Sequence, residues 1–539
     1  FGAVDVGNKV KIRSTNNAAT WCNNIIDLNA PDAAGQTKKL NPLDKMYDEI
    51  FAWKDVRSSG EQDSPKYLWD AHYSAIAAAN QALLAIDTLQ ARGIDMSAEK
   101  GEALLCRAYH HFLLTCVFCM PYRDENLSKN DLGVVYMTKP ENEVAPKYVR
   151  PNLVETYKAI EEDLEEGLRL VRDDYYAVPK YHFNQKAAHA FAARFYLYKR
   201  DWNKVISNAD FVLSTSPDFT LSMLCDYNHI QEFSQPEPQF IAWTDAAMNS
   251  NLLLHTTMSQ APYTIIPSYG RYQAKDDAVK YSVQAAGPCW GKGALQRAMS
   301  NWMYGNEYGI FLAKFWFLFE YTDKVNGYGY IHGLTRAFTA DETLLCRAEA
   351  KIYTNDYAGA IEDMALWCTN FNKVEGVRMD TVAGVSPQKI DLTQAKIKTF
   401  FQNNAGTPLA PEFHNTDLSP EFVIPAGAKE LVQCVLHMRR IETFEDGWRW
   451  MDLKRYGIEI EHKQGLDPVD KLTWNDPRRA IQIPQEVILS GLQANPRANA
   501  EAPAGSVTVI TPSDQLSSPT LVAEMKSYNY VRALPEDEE

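Results

Sequence analysis

The sequence predicts a mainly α-helical fold in which paired helices support a loop-rich region. Three observations carry this expectation. A helical hairpin occurs twice at a fixed offset, long amphipathic segments precede its first copy, and aromatic and glycine residues concentrate in one poorly helical stretch.

The first amphipathic segment, LWDAHYSAIAAANQALLAIDTL (68–89), places Tyr73, Ile76, Ala77 and Asn80 at helical spacing. It pairs with AEKGEALLCRAYHHFLLTCVF (98–118). A third helix, VETYKAIEEDLEEGLRLV (154–171), carries Glu161, Glu162, Asp163, Glu165 and Glu166 over an arc too wide to converge on one point, so these acids are expected to form a solvated face. The hairpin HAFAARFYLYKRDWNKVISNADFVL (189–213) then aligns without gaps with LLCRAEAKIYTNDYAGAIEDMALWC (344–368), at an offset of 155. Ala193 meets Ala348, Tyr198 meets Tyr353, Asp201 meets Asp356, Trp202 meets Tyr357 and Ile206 meets Ile361. Small residues that let helices approach and an aromatic that fills the gap between them are the logic of tetratricopeptide-like pairs. The expected division is an N-terminal helical-repeat part, 1–225, and a C-terminal part, 226–539. The latter holds the loop-rich region, a further repeat at 341–370 and an irregular tail with one strand, SVTVI.

Composition narrows the function. The 539 residues are 45% apolar, enough for several domain-sized units, and the net charge of −15 argues against nucleic acid as a partner. No apolar run is long enough to span a bilayer, and FGAVDVGNKVKIR lacks the pattern of a signal peptide. Nine cysteines, an odd number, are scattered through apolar runs and are expected to be buried free thiols. Cys116 and Cys119 form one CxxC below His110 and His111, but no second ligand pair accompanies it, so neither metal nor cofactor is expected.

The stretch FEDGWRWMDLKRYG (444–457) alternates charge. On a helix, Asp446, Arg449, Asp452 and Arg455 would share a stripe, and flanking guanidinium groups hold carboxylates ionised, the reverse of what a general acid needs. An architectural role is expected. No GxSxG, HExxH or Walker-type loop occurs, and GPCWGKG lacks the Gly-Lys-Ser/Thr ending. A helical glycoside hydrolase would need two carboxyl groups across a cleft. Glu307, Glu320 and Asp323 lie near the aromatic loops, but none sits in an acid/base motif.

GEALLCRAYHHFLLTCVFCMPY, RPNLVETYKAIEEDLEEGL, KAAHAFAARFYLYKRDW, LLCRAEAKIY, RRIETFEDGWRWMDLKRYG and DPRRAIQIPQEV occur in the order seen in the SusD/RagB family, which the chain resembles over about residues 65–497. The family stretch usually reads close to RELxFEGxRWxDLxRxG. Here Glu442, Gly447, Arg449, Trp450, Asp452, Leu453, Arg455 and Gly457 occupy its places, with Thr443, Glu445 and Asp446 as departures. The resemblance implies a SusD-like fold, a non-enzymatic role and location as a lipoprotein on the outer-membrane surface. It implies capture of oligosaccharide, or of oligopeptide as in the RagB branch, for a SusC/RagA-like TonB-dependent transporter. A lipid anchor upstream of Phe1, rather than a transmembrane helix, would hold the protein there. A pure protein scaffold remains a third reading.

The ligand is expected at the aromatic-rich stretch 263–330, with 16 Phe, Tyr or Trp in 68 residues. Sugar rings stack on aromatic faces while their hydroxyls pair with planar polar groups. Arg271, Tyr272, Trp290, Asn301, Trp302, Tyr304, Asn306 and Tyr308 offer both kinds. The resemblance adds Trp69, expected just before the first long helix, while FLAKFWFLFEY (311–321) is expected to be core.

Overall fold

The computed structural model describes residues 53–57, 62–143, 146–259, 281–292, 316–372, 390–464 and 467–497. It also describes strands at 11–12, 272–273, 301–303 and 310–312 and single residues 46, 49, 50 and 314. The side chains of 11–12, 272–273, 301–311 and 461–470 and the proposed strand SVTVI lie outside that description.

Helix α1 (Pro65–Gln90) begins where Ser64 accepts a hydrogen bond from the Tyr67 amide and Pro65 supplies a preset φ. It buries Trp69, Ile76, Asn80, Leu83 and Ile86 along one stripe, against α2 (Ser97–Phe118). Helix α3 (Leu153–Leu170) opens with a reciprocal cap between Asn152 and Glu155. It approaches α2 so closely that a Cβ on Gly167 would fall 2.7 Å from the Leu105 side chain.

The two hairpins form as expected. Helices α4 (Gln185–Lys199) and α5 (Trp202–Leu213) are followed by the short helices α6 (Pro217–Met223), α7 (Tyr227–Gln231) and α8 (Pro236–Trp243). The second hairpin is α9 (Ala340–Tyr353) and α10 (Tyr357–Asn372). Each turns through a left-handed residue at the equivalent position, Arg200 at φ 67° and Asn355 at φ 63°. The aspartate that follows then accepts from the backbone amide three residues on, Asp201 from Lys204 and Asp356 from Gly359. Trp202 stacks on Tyr353 at 4.2 Å and 7°, so the copies pack on each other. Residues on both sides of position 225, Phe191 and Trp367 among them, enter one apolar cluster.

Between the hairpins lies an antiparallel sheet in the order β2-β7-β6. Numbered in chain order, the strands are β1 (Lys11–Ile12), β2 (Asn251–Thr257), β3 (Tyr272–Gln273), β4 (Asn301–Met303), β5 (Ile310–Leu312), β6 (Leu318–Asp323) and β7 (Tyr328–Thr339). Thr257 pairs with Gly333 and Leu318 with His332. The chain between Thr257 and Leu318 therefore leaves and rejoins the sheet beside the same two residues of β7. The remaining elements are α11 (Gln394–Asn403), α12 (Asn415–Leu418), α13 (Lys429–Glu442), α14 (Arg449–Arg455), the hairpin β8 (Ile460–Gln464) with β9 (Asp467–Leu472), and α15 (Gln485–Leu489).

Three expectations need correction. The stripe through Asp446 does not form: α14 starts at Arg449, after Glu445 turns at φ 69°, and Asp446 instead binds the Lys314 ammonium at 2.9 Å. The acids of α3 are not all solvated. Asp163 is buried, where α2 presents Arg107 to neutralise it, and Glu161 and Glu165 bridge to Lys204. FLAKFWFLFEY is only partly core, because Leu312 is buried but residues 316–319 are half-buried and Tyr321 is exposed on β6.

The motif residues themselves lie inside. Glu442, Arg449, Trp450, Asp452 and Arg455 are buried, and Gly447 adopts φ 85°. Asp452 accepts from Arg439 Nε at 3.1 Å and from Arg455 Nε at 2.9 Å. Arg455 also forks onto Glu349, and Arg439 lies 3.7 Å from Glu342, which binds Arg194. Cations and anions thus alternate from Arg194 through Glu342, Arg439, Asp452 and Arg455 to Glu349. Burial pushes the Asp452 carboxyl up, but Arg439 and Arg455 outweigh it and hold it below the usual carboxylate range. Arg194 and Glu349 occupy the same place in the two hairpins, 155 residues apart, with opposite charge.

Candidate ligand-binding cleft

An open cleft of about 260 Å³ lies along the first turns of α1. One wall is Trp69, Tyr73, Ile76 and Asn80, the second runs from Val135 to Tyr148, and the third comes from Val487, Ser490 and Leu492 near α15. Trp69 is the fifth residue of α1, not a residue before it. It is 7% exposed, with its ring 4.9 Å from Tyr73 and edge-on to Phe118 at 5.1 Å.

A buried polar network fixes the second wall. Arg107 grips Asp163 with Nε and Nη2 at 2.6 and 2.7 Å and gives a third hydrogen bond to Asn80 Oδ1 at 2.9 Å. The Asn80 amide donates to the Met137 carbonyl at 2.9 Å, and the Tyr73 hydroxyl to Val135 O at 3.0 Å. His111 Nε2 accepts from the Met137 amide at 3.0 Å, so its proton sits on Nδ1, which donates to Arg107 O at 2.8 Å. Burial keeps that imidazole neutral, pulling it down to about 3. Asn80 thus lines the cleft with its amide already engaged. Lys139, Glu141 and Tyr148 stand exposed at the rim, where the Tyr148 hydroxyl donates to Glu141 at 2.8 Å.

The third wall is latched. Arg150 donates to Gly133 O at 2.7 Å and to Asn495 Oδ1 at 2.8 Å, while the Asn495 amide donates to Phe118 O and Ile481 O. One side chain therefore ties the C-terminal segment to the end of α2 and to the second wall.

The aromatic-rich stretch is rooted nearby. His72, three residues after Trp69, meets His110 with their Nδ1 atoms 2.8 Å apart. Burial, then the His110 and His255 imidazoles, pull His72 down to about 3, which places β2 beside these helices. The segment after β2 thus departs next to the start of α1.

Of the other expected ligand residues, Arg271, Tyr304, Asn306 and Tyr308 lie outside the described residues, and Tyr272, Asn301 and Trp302 are described only as strand backbone. Trp290 is a correction. It is 4% exposed, its indole donates to Ala285 O at 2.9 Å, and its ring packs on Trp367 and His437, so no face is open to a ligand. Tyr321, Tyr328 and Tyr330 are exposed on the β6–β7 hairpin instead. Of the candidate acids, Glu320 pairs with His332 and Asp323 caps the hairpin turn through the Val325 and Asn326 amides, while Glu307 is outside the described residues. Tyr148, Lys139 and Glu141 escaped the sequence reading. An aromatic in the loop PENEVAPKYVRP is their one sequence signal.

Fold and cleft define a helical-repeat protein with an open, aromatic-walled groove on its outer side. The family model for SusD-like proteins, described as "Starch-binding associating with outer membrane", matches residues 8–197. SusD-like protein P2 of Formosa agariphila is 26% identical over 171 residues, 31% of this chain and 30% of the relative, so the match spans less than a third of that protein. A putative sugar binding protein from Bacteroides vulgatus shares the fold at TM-score 0.53 and 17% identity, over 84% of this chain and 97% of that one. A SusD superfamily protein from Bacteroides fragilis does so at TM-score 0.53 and 16% identity, over 90% of each chain. The chain is thus similar to the SusD-like family over residues 8–197 and shares the fold of these solved structures.

Proposed function

We propose that the protein captures oligosaccharide on the outer-membrane surface and presents it to a SusC-like TonB-dependent transporter, with no bond made or broken. The observation that carries this reading is the cleft, in which ring surfaces of Trp69, Tyr73 and Tyr148 stand beside the rim charges Lys139 and Glu141. Pyranose C–H faces stack on such rings, while hydroxyls exchange hydrogen bonds with the ammonium and carboxylate. Tyr272, Trp302, Tyr304 and Tyr308 are proposed as further ligand residues on the strength of the sequence alone, and the family's starch-binding description supports the choice of ligand. No helix among the described residues is long and apolar enough to cross a membrane; attachment through a lipid anchor is part of the same proposal and rests on the family resemblance.

Native mass spectrometry of the protein extracted gently from its own membrane tests this reading. A ladder of hexose masses, lost from a Tyr148→Ala Lys139→Ala double variant, is expected. A heterogeneous set of peptide masses would overturn it in favour of oligopeptide capture.

A further inference from the structure

Cys289 and Cys368 lie 79 residues apart in sequence, and their sulfur atoms are 3.1 Å apart. The segment 281–292 that bears Cys289 lies within the aromatic stretch, and α10 bears Cys368. The contact is doubly fixed, because the next residue of one chain meets the preceding residue of the other: Trp290 packs edge-on against Trp367 at 5.8 Å. Gly287 closes the turn, its amide donating to Trp290 O at 3.0 Å, and a Cβ there would overlap the Trp290 ring. Both cysteines thus sit beside a ring contact made by their sequence neighbours. Closing the contact to a disulfide needs a shift of about 1 Å.

We propose that Cys289 and Cys368 form a structural disulfide that pins the base of the aromatic stretch to the second helical hairpin. The two thiols differ in access: Cys289 is half-buried and Cys368 is fully buried. Exchange therefore begins at Cys289. Its thiolate attacks a disulfide oxidant, forming a mixed disulfide and releasing one oxidant thiol. Cys368, as thiolate, then attacks the Cys289 sulfur and expels the second oxidant thiol. Two protein thiols are oxidised, one oxidant disulfide is reduced to two thiols, and the protons of Cys289 and Cys368 pass to the released thiolates. Burial raises the Cys368 thiol, which makes the second step the slow one. The third nearby thiol, Cys434 on α13, is the competing partner. An oxidising surface location rests on the proposed function, but the sulfur geometry does not.

The test uses the purified full chain. It is equilibrated with oxidised glutathione, its free thiols are blocked with N-ethylmaleimide under denaturing conditions, and it is digested without reduction and mapped by mass spectrometry. The expected result is loss of two of the nine alkylatable cysteines and a cross-linked peptide pair containing Cys289 and Cys368. Cys434→Ser should leave that pair unchanged and Cys289→Ser should abolish it. Nine alkylated cysteines, or a link from Cys289 to Cys434, would overturn the proposal. Oligosaccharide binding, measured separately on the reduced protein, reports on the proposed function alone.

Discussion

The buried charges around Asp452 and the exposed charges at the cleft rim use the same residue types for opposite ends. Around Asp452, each cation touches an anion supplied from elsewhere in the chain: Arg194 from α4, Glu342 and Glu349 from α9, Arg439 from α13, Asp452 and Arg455 from α14. Water is excluded, so every charge depends on its partner, and a charge without one is costly. At the rim, Lys139 and Glu141 are solvated and can exchange a water partner for a ligand hydroxyl at little cost. The difference teaches that the same charges act differently by solvation: the buried ones are committed to one another, while the rim ones stay open to exchange beside an apolar surface.

The comparison breaks most readily at its buried end. Arg455→Ala strands Glu349 and weakens the hold on Asp452, and should cost about 3–5 kcal/mol of stability. Chemical denaturation would show it as a lower midpoint. A variant as stable as the wild type would make the network dispensable. Capture of ligand at low temperature should survive in whatever fraction folds.

A smaller, pH-dependent effect is expected at Asp341, where two buried carboxyl groups, Asp341 and Glu442, share the nearby Arg336 guanidinium. Burial, then the neighbouring Glu442, push the Asp341 carboxyl up to about 8. The unfolded chain titrates it near 3.9. The folded state therefore binds the extra proton between those values, and its contribution to stability, complete below about pH 4, is lost as pH rises towards 8. Thermal melts of Asp341→Asn should decline less between pH 5 and 8 than those of the wild type. Parallel profiles would place the proton elsewhere.

The smallest effect on folding is expected at the rim. Tyr148→Ala removes a ring that is 37% exposed at the rim, so the melting temperature should stay within the range of surface substitutions. Titration with an oligosaccharide should nevertheless show weaker binding. Loss of stability with unchanged binding would reverse the contrast between the two regions.

Much of the scaffold was legible because its signals are local. Asp201 and Asp356 announce their turns, and the small and aromatic residues of each hairpin recur at a constant offset. The burial of Asp163 was not legible, because Arg107 lies 56 residues away and only the packing of α2 on α3 brings them together. Trp290 misled for the same reason: glycines beside it read as an exposed loop tip, while Trp367 and His437, which cover its ring, are distant in sequence. The cleft was half legible. Trp69 was named, and Tyr73 and Asn80 were recognised as one helical stripe, but the other two walls come from separate parts of the chain that share no motif with the first.

The Arg150–Asn495 latch makes the groove a joint product of both ends of the described chain. Trp69 stands near the start of the described chain and Asn495 near its end, so the early helices alone do not make a finished groove. The third wall is in place only where the segment bearing Asn495 is docked.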